Sequence, residues 1–130
     1  MNIGEASEAS GVSAKMIRYY ESIGLIPPAQ RSGNSYRVYR EADAHTLRFI
    51  RRALLLGFPV AQIAELLRLW QYKGRASAEV KAIAEGHVAE LEEKIAELQA
   101  MTRTLAHLAH CCHGDDRPDC PILDDLAGRP

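Results

Sequence analysis

The sequence predicts a mainly α-helical protein, in which a small domain of helices and one hairpin is followed by a long helix and then by a short loop and helix. Three observations predict this fold class: short helical segments separated by glycine over residues 1–24, a proline-free stretch over residues 79–110, and a proline directly after a cysteine in the tail. A chain of 130 residues with 47% hydrophobic and 25% charged residues has a globular composition, which excludes a disordered or collagen-like chain. We expect three parts, at residues 1–75, 76–110 and 111–130.

Two short helices are predicted at the start of the chain. The first, over residues 3–9, ends at Gly11, because glycine adopts the left-handed conformation that follows many helices. Ser13 can cap a second helix that ends at Gly24. Two short helices joined by a glycine-containing turn are typical of a helix-turn-helix, whose second helix enters the major groove of DNA.

A small β-hairpin, or wing, is predicted over residues 31–40. Pro27 and Pro28 prevent continuation of the helix, and turn residues then precede alternating side chains over residues 36–39. The first 75 residues therefore predict a winged helix-turn-helix domain.

Two amphipathic helices follow the wing. The third helix, over residues 41–56, stops at Gly57, and Pro59 suits the first turn of the fourth. After a break at residues 73–75, Ser77 can cap the next helix. The buried stripe of the fourth helix is expected to comprise Val60, Ile63, Leu66, Leu67 and Trp70.

A single long helix is predicted over residues 79–110, and its apolar residues alternate at spacings of four and three, as in the heptad repeat of a coiled coil. Such a helix is too long to bury this seam on the preceding domain, so we expect a homodimer; the alternative is that it packs back on its own chain. The seam comprises Ala84, Val88, Leu91, Ile95, Leu98, Thr102, Leu105 and Ala109.

The charges divide the chain in two. Up to Arg75 there are 11 Lys and Arg against 6 Asp and Glu, a net charge of +5, and beyond it 5 against 11, a net charge of −6. A basic half is typical of a protein that binds a polyanion, although two solvated surfaces would give the same bias.

The candidate DNA-binding residues lie on the second helix and the wing. Lys15, Arg18 and Tyr19 share one helical face, whereas Ile17, Tyr20 and Leu25 are expected in the core. Cations and aromatic side chains of this kind contact the phosphates of DNA, although any one arginine alone could be a solvated surface charge. The wing contributes Arg31, Arg37, Tyr39 and Arg40.

The tail carries three thiols in a short polar loop. Cys112 is expected at the end of the long helix, and Pro121 suits the first position of a helix that ends at Leu126, with Cys120 as its N-cap. A helix N-terminus favours the thiolate, which is the form that binds metals. Two thiolates suit the soft ion Cu(I), whereas structural zinc almost always has four ligands. On a helix Cys111 is rotated by about 100° around the axis from Cys112, so its side chain can point away from the ion.

Cys111 and His113 are possible additional metal ligands. Either one could raise the coordination number and admit a divalent ion, although a solvent-facing loop histidine is the favoured interpretation of His113. Three thiols are an odd number, so ligands or free thiols are favoured over a disulfide framework. A thiol beside His113 is the only candidate catalytic pair, and it lacks an orienting group, so we expect no enzyme activity.

No apolar run approaches the roughly 18 residues that a membrane span needs. Glu5 and Glu8 occupy the segment where a signal peptide would have basic and then apolar residues. We therefore expect a cytoplasmic protein.

Short motifs along nearly the whole chain resemble those of the mercury-resistance-regulator (MerR) family. The resemblance implies a winged helix-turn-helix dimer with an antiparallel coiled coil, which underwinds and bends a promoter with a long spacer when its effector binds, and which acts on RNA polymerase. The motifs are Ile3-Gly4-Glu5-Ala6, Gly11-Val12-Ser13, Ile17-Arg18-Tyr19-Tyr20-Glu21, Gly24-Leu25, Tyr36-Arg37-Val38-Tyr39, Phe49-Ile50 and Leu56-Gly57-Phe58.

The tail is similar to that of the copper-efflux regulators of this family, which bind Cu(I), Ag(I) or Au(I) linearly between two cysteines separated by seven residues. Cys112 and Cys120 have this spacing. Ser77 falls where sensors of divalent ions have cysteine, which implies a role in metal selectivity beside its role as a helix cap. The resemblance implies an activator of copper efflux or resistance genes; the alternatives are a response to a divalent metal or to thiol oxidation.

Overall fold

A computed structural model describes residues 1–33, 36–72, 74, 77–115 and 118–128. The described residues form six helices and one two-stranded antiparallel sheet, so the mainly α-helical prediction is confirmed. The chain divides into two compact units, Met1–Val80 and Lys81–Pro130. The finer division of the second unit into a dimerisation helix and a metal loop stays a prediction. The elements are α1 (Ile3–Ser10), α2 (Ala14–Ser22), β1 (Gln30–Arg31), β2 (Arg37–Val38), α3 (Glu41–Leu55), α4 (Val60–Gln71), α5 (Ser77–Cys111) and α6 (Pro121–Leu126).

The helix-turn-helix is defined by caps at both sides of its turn. Asn2 and Glu5 form a capping box at the start of α1, with the Asn2 side chain accepting from the Glu5 amide at 2.8 Å and the Glu5 carboxylate accepting from the Asn2 amide at 2.9 Å. Gly11 ends α1 at a φ of 76°, and a Cβ at this position would lie 3.2 Å from Nε of Arg51. The Ser13 hydroxyl then accepts from the Met16 amide at 3.2 Å and caps α2, as the sequence predicts.

The core of the first unit lies among its helices and beneath the wing. Ile17 and Tyr20 are buried, and Leu25 is partly buried against them, which confirms their assignment to the core. The rings of Phe49 and Trp70 stack at a centroid separation of 4.5 Å and pack α3 on α4. The buried apolar residues are Ala6, Val12, Ile17, Tyr20, Ile26, Tyr39, Ala44, Leu47, Ile50, Ala53, Ile63 and Leu67.

Three predicted helix boundaries shift by about one position or lack the expected cap. Pro59 is the N-cap of α4 and does not lie in its first turn. Ser77 is the first residue of α5, so it does not precede the helix as a capping residue. Cys120 is the N-cap of α6, as predicted, but its side chain makes no capping hydrogen bond. Lys73 and Arg75, in the predicted break, lie outside the described residues.

The long helix exists and keeps its apolar seam on the surface of the single chain. α5 extends two residues before and one residue beyond the predicted span of 79–110. The side chains of Val88, Leu91, Ile95, Leu98 and Leu105 are between 37% and 60% exposed.

No helix in the described part of the chain is long and apolar enough to cross a membrane.

Candidate nucleic-acid interface and thiol loop

The recognition helix α2 separates its core residues from a polar face. Ile17 and Tyr20 face inward, whereas Lys15, Arg18 and Tyr19 are all exposed. Because residues three and four apart lie side by side on a helix, the exposed set forms one surface. The structure thus places these three predicted DNA-binding residues where a groove of DNA could reach them.

α2 and the wing together form a basic groove. Its volume is about 530 Å³, and its guanidinium groups come from the helix and from both strands of the hairpin. Arginine matches phosphate oxygens with paired N–H donors, so a concave surface with three of them is suited to a phosphate backbone. The lining residues are Asn2, Ile3, Arg18, Arg31, Tyr36 and Arg37.

The register of the wing places like charges opposite each other. β1 and β2 pair antiparallel, with Gln30 opposite Val38 and Arg31 opposite Arg37. Like charges directly across an antiparallel pair are destabilising. Glu21 offsets part of this repulsion at Arg37, and an anion in the groove would offset more of it.

Glu21 links the recognition helix to the wing. Its carboxylate accepts a hydrogen bond from the Tyr39 hydroxyl, and its Oε2 lies 3.8 Å from Nε of Arg37. Burial, followed by the hydrogen bond to Glu21, raises the pKa of Tyr39 to about 12. The backbone of Tyr39 also exchanges two hydrogen bonds with Met1, each of 2.7 Å. These contacts fix the position of the wing relative to α2.

Tyr39 is buried, and Tyr36 takes its place on the exposed surface of the wing. The side chain is only 2% exposed and its hydroxyl is bonded to Glu21, so the prediction that it contacts DNA is wrong. Tyr36 is 73% exposed and lines the groove, although sequence reasoning omitted it from the DNA-binding set. Alternation along the strand places residues 36 and 38 on one face and residues 37 and 39 on the other, but it does not say which face is buried.

Arg40 remains on the surface but is held by its own helix. Its amide donates to Oδ2 of the buried Asp43 at 2.8 Å, and its Nε lies 3.6 Å from the same oxygen. The Arg40 side chain is therefore close to the wing without lining the basic groove.

The three thiols of the tail have different surroundings. Cys111, the last residue of α5, is exposed, and its Sγ lies 3.8 Å from Nε2 of His107. Cys112 and Cys120 are both half-buried. The amide of Cys112 continues the helical pattern by donating to the Leu108 carbonyl at 3.1 Å.

The heptad pattern also distinguishes the two adjacent cysteines. Leu105, Ala109 and Cys112 follow one another at spacings of four and three, so Cys112 continues the seam. Cys111 lies on the outer side of the helix. His113 is exposed.

Cys112 and Cys120 are the half-buried thiols of the loop, and no larger group of metal-binding side chains surrounds them in the described part of the chain. Among the residues that the structure describes, no three or more His, Cys, Asp or Glu side chains are grouped to hold a metal. Asp116 and Arg117 of the loop are not among them. Thiolates are soft donors of the kind that Cu(I) prefers, whereas structural zinc almost always has four ligands.

A helix-turn-helix with a wing and a basic groove defines a DNA-binding regulatory protein. Family models agree: one described as "MerR HTH family regulatory protein" matches residues 1–70, and one described as "MerR, DNA binding" matches residues 44–108. The chain belongs to the MerR family of transcription regulators, and it is not an enzyme.

Individual relatives match over nearly the full chain. "Heavy metal-dependent transcription regulator 2" of Rhizobium meliloti is 67% identical, over 98% of this chain and 86% of its own. "HTH-type transcriptional regulator CueR" of Escherichia coli O6:H1 is 41% identical, over 98% of this chain and 95% of its own. The crystal structure of the regulator PbrR691 of Ralstonia metallidurans in complex with lead(II) is similar at a TM-score of 0.84 and 33% identity, over 97% of this chain and 98% of its own.

Proposed function

We propose that this metal-responsive regulator is a cytoplasmic homodimer that activates copper efflux or resistance promoters when Cu(I), or the related ions Ag(I) and Au(I), binds between Cys112 and Cys120. The observation that carries the proposal is the pair of half-buried thiols at the two ends of the loop, one following α5 and the other preceding α6. Thiolates are the preferred ligands of Cu(I).

Charge distinguishes a monovalent ion from a divalent ion at such a pair. One monovalent ion between two thiolates leaves a net charge of −1, whereas a divalent ion gives a neutral site, so the two classes of ion produce different electrostatic states of the loop. A divalent ion would also require further ligands to complete its coordination. Ser77 falls at the sequence position where sensors of divalent ions in this family have cysteine, and we propose that its lack of a thiol contributes to selectivity.

A divalent metal is the second candidate effector. A relative with 33% identity was crystallised with lead(II), and the relative with 67% identity is named only for heavy metals. Cys111 and His113 are the side chains through which the loop could gain ligands. Relatives named CueR are 41% and 42% identical to this chain, in line with the resemblance of its tail to copper-efflux regulators.

The proposed dimer rests on the exposed seam of α5. Five large apolar side chains at heptad positions are more than a third exposed in the single chain, and a second copy would bury them. Members of this family bind promoter DNA as dimers. We propose that the basic groove of each chain contacts the DNA backbone and that metal binding changes the distortion of the promoter that RNA polymerase meets.

Transcription from the cognate promoter, measured in vitro with a panel of metals, tests the proposed effector. Cu(I) should activate the parent protein, and Zn²⁺ or Cd²⁺ should activate it poorly. Cys112→Ser and Cys120→Ser should each abolish the response while operator binding is retained, because the thiols lie in the second unit. Cys111→Ser is the matched control and should respond as the parent does.

Two outcomes would contradict the assignment of ligands. One is a parent protein that responds to Zn²⁺ as strongly as to Cu(I). The other is a Cu(I) response that disappears only when Cys111 or His113 is replaced.

A further inference from the structure

Two metal-binding side chains meet on the outer face of α5, apart from the thiol pair of the loop. Sγ of Cys111 lies 3.8 Å from Nε2 of His107, and both residues are exposed. They are four residues apart on a helix, the spacing at which side chains lie directly above one another. A sulfur and an imidazole nitrogen at this spacing can both bind one ion.

The heptad places this pair on the side of α5 opposite to the seam. With Leu105 and Ala109 at the core positions d and a, His107 occupies position f and Cys111 position c. Positions f and c lie on the outside of a coiled coil, so a dimer formed through the seam leaves both donors accessible to solvent. Cys112 falls at the next d position, so the two adjacent thiols lie on different faces of the helix.

The separation of the two atoms fits a bent chelate. Zinc binds a thiolate sulfur at about 2.3 Å and an imidazole nitrogen at about 2.0–2.1 Å. With those bond lengths, a separation of 3.8 Å corresponds to an S–Zn–N angle of about 120°, close to tetrahedral. A linear arrangement with the same bond lengths would need about 4.3 Å. The two atoms are therefore within reach of one ion that bends its ligands and completes its coordination with water.

We propose that His107 and Cys111 form a site for a divalent ion of the zinc class on the outer face of α5, separate from Cys112 and Cys120. The ion binds the Cys111 thiolate and the neutral imidazole, and the thiol proton is released to solvent. Cys111 held in this way does not supply a third thiolate to the loop. This site does not depend on the proposed response to Cu(I).

The test uses the full chain with Cys112→Ser and Cys120→Ser, so that Cys111 is the remaining thiol. Under anaerobic conditions Co²⁺ is the probe, because a cobalt–thiolate bond gives a charge-transfer absorption that reports sulfur ligation directly. We expect the absorption to saturate at one Co²⁺ per chain and to disappear when Zn²⁺ displaces the probe.

Single substitutions in this background identify the ligands. His107→Ala should lower the affinity for Co²⁺ at least about tenfold, a loss that even second-shell changes cause at metal sites, and Cys111→Ser should remove the absorption. His110→Ala is the matched control, since it removes an imidazole from the same turn that is not four residues from Cys111. Far-ultraviolet circular dichroism should show unchanged helix content in all three variants, because the side chains are exposed.

Three results would overturn the site. The first is absence of cobalt–thiolate absorption in the double-serine background. The second is a His107→Ala variant that binds Co²⁺ as tightly as its parent. The third is a His110→Ala variant that loses as much affinity as His107→Ala. Failure of the Cu(I) proposal would leave these measurements unchanged, because both proposed Cu(I) ligands are already absent.

Discussion

The two units of the molecule bury their apolar residues in different ways. In Met1–Val80, twelve apolar residues from the helices, the connecting segments and the wing form a buried core within one chain. In the long helix of the second unit, the apolar residues at heptad positions stay exposed, with Leu98 60% and Leu105 56% accessible. The first unit is therefore stabilised by apolar burial within one chain. The long helix gains such stabilisation only when another apolar surface covers its exposed seam.

The largest expected effect comes from a charge in the seam. Leu98→Asp should weaken dimerisation roughly a thousandfold, since a dimer would bury two carboxylates that each cost at least about 2 kcal/mol. Ala96→Asp introduces the same side chain at an outer position and should leave the dimer intact. Sedimentation over a concentration series measures the effect. A parent chain that sediments as a monomer at micromolar concentration would contradict the dimer itself.

Truncation of a buried residue tests the self-contained core of the first unit. Ile17 is fully buried in α2, so Ile17→Ala should lower the free energy of unfolding of this unit by about 2–5 kcal/mol. Met16→Ala, at its exposed neighbour, should change it by no more than about 0.5 kcal/mol. Urea unfolding followed by the fluorescence of Trp70, the single tryptophan, measures both. Similar losses in the two variants would refute the assignment of the core.

The hydroxyl of Tyr39 should give the first unit a pH dependence. Its pKa is about 12 in the folded chain against 10.0 as the ordinary value, so the stabilisation is complete below pH 10 and is lost as the pH rises toward 12. Over that interval the parent should lose roughly 2–3 kcal/mol of its free energy of unfolding through this hydroxyl, and Tyr39→Phe should not show this loss. Burial also raises the pKa of Tyr20, which accounts for a remaining slope in the variant. Parallel stability curves for parent and variant would contradict the buried hydroxyl.

The smallest effect is expected at the basic groove. Arg18→Ala and Arg37→Ala should each weaken operator binding by about tenfold and reduce its dependence on salt, because each removes a phosphate contact per chain. Arg103→Ala, on α5, is the control with the same change of charge. Gel-shift titrations at several salt concentrations give both quantities. Unchanged affinity in both groove variants would remove the assignment of the DNA-binding surface.

Local chemistry was sufficient to predict where helices end. Gly11, Gly24 and Gly57 all have positive φ and follow α1, α2 and α3, as the sequence predicts. A residue without Cβ is favoured in that conformation whatever the rest of the fold does, so the prediction needs no long-range contact.

The wrong prediction at Tyr39 arises because a long-range contact, and not local chemistry, decides its position. Alternation divides residues 36–39 into two faces, but only a distant partner decides which face is buried. That partner is Glu21, 18 residues earlier in the chain. Similarly, the exposure of Cys111 and its contact with His107 depend on the length of α5, whose last helical residue is Cys111.

The link through Glu21 has a consequence for genetics. The strands of the wing are two residues long each, so the hairpin has little stability of its own and depends on what it contacts. Glu21 has a side chain that is only 10% exposed, yet it accepts from Tyr39 and pairs with Arg37. A screen for alleles that fail to bind operator DNA should recover Glu21 beside the groove arginines, and its phenotype would report a displaced wing and not a missing contact with DNA.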